Sequence, residues 1–117
     1  MIEVRNMGAQ GDVLFRRVDA IPQPAWRWLH EGKLIVAHSE TGHHHVIESP
    51  GVELFTISDP FISYLKLEAP HADVVHEREY HTHRTLRLFG ASDGRPAYYE
   101  VRRQREHSPE GFRPATD

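Results

Sequence analysis

Glycine, proline and aspartate interrupt this chain at short intervals, and that punctuation most limits what it can fold into. Between the breaks lie eight runs rich in β-branched and aromatic residues, at 12–18, 33–38, 44–48, 52–57, 61–67, 73–76, 85–89 and 97–103. Runs of four to seven residues are too short for stable helices but match the ordinary length of strands. Gly11, Gly32, Ser49-Pro50-Gly51, Asp59-Pro60, Pro70, Gly90 and Asp93-Gly94 supply the turns. The segment 24–30, PAWRWLH, is the one stretch with the character of a helical turn. The expectation is an all-β domain, a single small barrel or a jelly-roll-like sandwich of about eight short strands. It spans 1–117 as one domain, with 108–117 an extended C-terminal tail.

Composition narrows the function classes. With 117 residues and 38% hydrophobic content the core is thin, so oligomer contacts or a bound metal would help to hold it. A formal net charge of -3 gives no overall basic footprint for nucleic acid. The absence of cysteine removes disulfides, thiolate metal sites and cysteine nucleophiles. No apolar run approaches the roughly 20 residues that cross a bilayer. The first residues, MIEVRNMGAQGDV, carry no apolar signal core, so a cytoplasmic protein with no membrane partner is expected.

Ten histidines are the unusual feature. Residues two apart on a strand share a face, so His43 and His45 point one way and His44 and Val46 the other. A His-x-His pair can offer two imidazoles to one ion. Downstream stands a second pair, His81 and His83, preceded by His76, Glu77 and Glu79. Brought together on adjacent strands, His43, His45, His76, His81 and His83 supply the nitrogens that a divalent metal needs. Imidazole suits zinc first, with iron and manganese as alternatives. If strand phase runs unbroken from His81 to Leu88, however, the second pair lies opposite Leu86 and Leu88. His38 and Glu40 are candidates to orient an imidazole through its other nitrogen.

Three blocks resemble a family of small uncharacterised proteins of phages, prophages and bacteria. They are GDVLFRRVDAIP (11–22), HSETGHHHVI (38–47) and YYEVRRQREHSPEGFRPATD (98–117). The family is similar in an opening Q-G-D-V-L, a central T-G-H-x-H and a closing R-Q-R-E. The resemblance implies roles for Gly42, His43, His45, His76, Glu77 and His83, but no established activity. This chain departs from it in carrying the longer HEREYHTH where a compact His-x-x-His is usual, and His107 where a tyrosine is common.

No serine-nucleophile elbow, Walker motif or dinucleotide-binding glycine pattern occurs. The expected function is therefore a histidine-rich β-domain binding a divalent metal. If catalytic, it is a metal-dependent hydrolase acting on a small molecule, with Glu77 or Glu79 as general base. The alternative is a non-catalytic module meeting a protein or nucleic-acid partner through the strand Arg102-Arg103-Gln104-Arg105, with Tyr98 and Tyr99 to stack bases. Nucleic acid is the less favoured partner, and a homo-oligomer is compatible with either reading.

Overall fold

The structure is a computed structural model. It describes residues 1–37, 44–76 and 84–103 in full, and the backbone of Arg105–Ser108 and Gly111–Pro114. Among the described residues the chain forms strands and no helix. They are β1 (Ile2–Val4), β2 (Met7–Gln10), β3 (Val13–Val18), β4 (Trp26–Trp28), β5 (Leu34–Ala37), β6 (His45–Ile47) and β7 (Val52–Thr56). Then come β8 (Ile62–Leu67), β9 (His71–His76), β10 (Leu86–Phe89), β11 (Ala97–Arg103), β12 (Arg105–Ser108) and β13 (Gly111–Pro114).

All eight expected runs contain a strand. Segment 24–30 does not turn helically. Trp26–Trp28 instead pairs antiparallel with β7, and that pairing supplies backbone partners that an isolated helical turn would leave unmet. Within the segment 108–117, β13 pairs antiparallel with β12, which precedes it.

Two sheets stack. One runs in the order β1-β10-β9-β6-β5 and the other β2-β3-β11-β8-β7-β4. The sandwich half of the expectation therefore holds, and the single barrel does not form. A single barrel would need the outer strands of one sheet, β1 and β5, to pair with those of the other, β2 and β4, and among the described residues the two sheets share no ladder. The inner faces meet instead. β3 contributes Val13 and Phe15, β8 Leu65 and Leu67, and β11 Tyr99 and Val101; opposite them lie Ala72, Val74, Leu86 and Leu88. The alternation is plain in β9, where Ala72, Val74 and His76 are buried and His71 and Val75 are exposed. Each fully buried leucine or valine contributes on the order of 1.5–3 kcal/mol.

Polar side chains tie the sheets together at both ends. Tyr99 donates its hydroxyl to the Phe89 carbonyl at 2.7 Å, with the Val4 carbonyl 3.3 Å away. At the other end Gln10 of β2 donates to the carbonyls of Val74 at 3.0 Å and Arg84 at 2.8 Å. These carbonyls belong to the opposite layer, so the Gln10 amide spans the gap between the sheets.

Candidate functional site

Gln10 begins the site. It pairs with Val13 across a two-residue hairpin loop, Gly11-Asp12. Gly11 takes φ of 60°, a conformation open to glycine at little cost and favoured in tight hairpins. This turn drives Gln10 inward, 2% exposed, and leaves Asp12 at the loop, 8% exposed.

His45 and His76 complete the cluster. They are directly opposite on antiparallel β6 and β9, and both are buried. Their rings stack with centroids 4.1 Å apart and planes within 6°. Gln10 Oε1 lies 2.8 Å from His45 Nδ1.

The Gln10 contacts fix the chemistry of that ring. Two backbone carbonyls can only accept, so the group facing Val74 and Arg84 must be the amide NH₂. The oxygen then faces His45, and Nδ1 must carry the proton and donate. In the neutral ring this leaves the lone pair on Nε2. Asp12 Oδ1 lies 3.8 Å from that atom, too far for a hydrogen bond. Two donors at ~2.0–2.1 Å from one ion lie about 3.4 Å apart at a tetrahedral angle and at most ~4.2 Å. The 3.8 Å separation is about 0.4 Å wider than the tetrahedral spacing, so sharing a tetrahedral ion would draw the two groups together by that amount. His76 is oriented differently. Parallel stacked rings do not aim in-plane lone pairs at a common point, so His76 as placed packs on His45 rather than joining it around an ion.

Of the residues expected to form the site, the structure brings together His45 and His76. Among the described residues no group of three or more histidine, aspartate or glutamate side chains forms a metal cage. His43, with His38 and Glu40, lies in 38–43, outside the described residues; Glu77, Glu79, His81 and His83 lie in 77–83, also outside. The flanks of both segments can be placed. Ala37 pairs with His45 and His45 with His76, so 38–43 leaves and 77–83 begins at one rung of the sheet.

Sequence reasoning missed Gln10 and Asp12 as site residues. The Gly-Asp pair before a β-rich run was the available signal, since it marks a tight hairpin that turns its flanking residues to one place. Of the arginines in the alternative reading, Arg102 donates to Glu100 Oε1 at 3.1 Å, while Arg16 meets Glu100 Oε2 at 3.1 Å. Burial alone would raise the Glu100 carboxyl, but these two guanidinium contacts outweigh it and hold it below the usual carboxylate range.

The domain of unknown function DUF8820 matches residues 9–104. The chain belongs to the DUF8820 family. The matched DUF8820 region takes in Gln10, Asp12, His45 and His76, so the whole cluster lies within the family domain. No curated protein and no solved structure matches the chain.

Proposed function

We propose that this DUF8820 chain is a divalent-metal-binding domain whose ion is held by His45 and Asp12. One observation carries the reading: Gln10 dictates the His45 tautomer that turns Nε2 toward a buried carboxylate 3.8 Å away. A metal-binding histidine is commonly oriented in this way, through a hydrogen bond at its other nitrogen. The remaining ligands would come from His43, His76, His81 and His83, with His76 joining only after its ring leaves the stack. Zinc is the first candidate, and iron and manganese follow. An ion there would polarise a substrate oxygen or a water, and hydrolysis of a small molecule is the chemistry that fits, with Glu77 or Glu79 as base.

The alternative, a binding module using the Arg102–Arg105 strand, has less support. The Arg102 guanidinium already neutralises Glu100 together with Arg16, which reduces the charge left for a phosphate.

The test is metal content, measured by plasma mass spectrometry on untagged chain purified without chelator or nickel resin. Near-stoichiometric metal is expected in the wild type and little in Asp12→Asn, a change of nearly equal shape whose fold is checked by circular dichroism. His30→Ala, at an exposed position, serves as control and keeps its metal. A wild type that carries none, and takes up none on adding zinc, iron or manganese, overturns the reading. An Asp12→Asn chain that loads as well as wild type overturns this placement of the ion.

A further inference from the structure

The two sheets part over a cavity of about 210 Å³. Its apolar walls include Val36, Leu54, Phe61 and Val101, and Trp28, 56% exposed, forms part of its lip. The cavity opens at the end of the sandwich that also carries the histidines: Ala37, which lines it, pairs with His45, and Arg103 pairs with Val13, next to Asp12.

Arg103 is the feature that sets this cavity apart. Along β11 the inward positions are Ala97, Tyr99, Val101 and then Arg103. An arginine thus continues an apolar row into an apolar space. Its Nε is buried and has no hydrogen-bond acceptor among the described residues. Its guanidinium carbon stands 5.9 Å from the Phe61 ring centroid. Among the described residues the one carboxylate on the cavity wall is Asp59, whose Oδ1 accepts from the backbone N–H of Phe61 at 2.9 Å. A buried guanidinium N–H against hydrocarbon calls for an acceptor, and a carboxylate fits best because its two oxygens match the planar fork.

We propose that this cavity binds a small organic acid with an apolar body of about one aromatic ring, its carboxylate accepting hydrogen bonds from Arg103. Size sets the ring. A cavity of roughly 150 Å³ takes benzene, so this one holds a ring and a short acid group. Trp28 at the lip offers a flat apolar surface to the part of the ligand nearest solvent. The proposal does not rest on the metal reading, because its residues are separate from Asp12 and His45.

The test is a titration of the full chain followed by ¹H–¹⁵N correlation spectra at constant ionic strength. Three probes are compared: sodium benzoate, benzamide (the same shape without the charge) and sodium acetate (the charge without the ring). Benzoate should shift the amides of Ile57, Phe61, Ile62 and Arg103 saturably, with a Kd at least ten-fold below those of the other two. In Arg103→Met, benzoate should fall to the level of benzamide. Equal binding of benzoate and benzamide overturns the proposal, as do shifts confined to other residues or no shift at all. Because the comparison of probes is made on the wild type, the outcome stands even if Arg103→Met is poorly folded.

Discussion

His45 and His76 lie face to face, their ring centroids 4.1 Å apart and their planes within 6°. The stack fills space between β6 and β9 where both side chains are almost fully buried. His76→Ala removes one layer and leaves a hole that neighbouring strands cannot close. It should lower stability by about 2–4 kcal/mol, the range for truncating a large buried side chain. His76→Phe, which keeps a ring of similar shape, should recover most of that in a urea titration. Equal loss in the two variants would refute the packing role.

Gln10 tests a different physical effect. Gln10→Leu keeps the volume but leaves the Val74 and Arg84 carbonyls without this donor and His45 Nδ1 without this acceptor. The expected loss is about 2–3 kcal/mol, from buried polar groups left unsatisfied. The same variant should release the His45 tautomer. Long-range ¹H–¹⁵N spectra should show His45 protonated at Nδ1 in the wild type and mixed in Gln10→Leu.

The centre of the sandwich gives a baseline against which these effects are judged. Leu65 is 0% exposed, so Leu65→Ala should cost about 2–5 kcal/mol. Leu29 is 76% exposed, and Leu29→Ala should stay within about 0.5 kcal/mol of wild type. Chemical denaturation of the two variants side by side checks both.

Acid should weaken the fold through two carboxylates. The Asp73 carboxyl is held below the usual range by hydrogen bonds from Arg87 at 2.8 and 3.1 Å, against burial that pushes it up. At Glu100, burial raises the carboxyl, and the Arg102 and Arg16 contacts more than reverse that. Each group therefore binds its proton more weakly in the folded chain than in the unfolded one. The stability each contributes is complete above the unfolded value, about pH 4, and is lost as pH falls through the lower folded value. The urea midpoint should drop between pH 5 and pH 2, and Asp73→Asn and Glu100→Gln should each flatten that drop. A wild-type midpoint unchanged by acid would contradict the assignment.

Punctuation and β-propensity located β3 and β5 through β11, which carry most of the core. What they missed depends on distant partners. β1 is three residues long and pairs in parallel with β10, with Ile2 beside Leu86, so no local pattern announces it. Met7-Gly-Ala-Gln has no β-branched residue, yet becomes β2 because β3 lies alongside. Pro-Ala-Trp-Arg-Trp carries the spacing of a helical turn, and pairing with β7 overrides it. The site follows the same rule. His45 and His76 stand out by residue type. Gln10 and Asp12 come from a hairpin 35 and 33 positions before His45, and the sequence has no periodicity that joins them to it.

β11 lies between β3 and β8 and is the strand that joins them. As the chain leaves the ribosome, β2 and β3 can pair early, and so can β7 and β8, but the two hairpins share no ladder until β11 arrives between them. The six-stranded sheet is therefore completed last at its middle, by a late-made segment. A nascent chain that stalls before Ala97 exposes two strand edges, those of β3 and β8, that in the finished protein are never seen by solvent or by another chain.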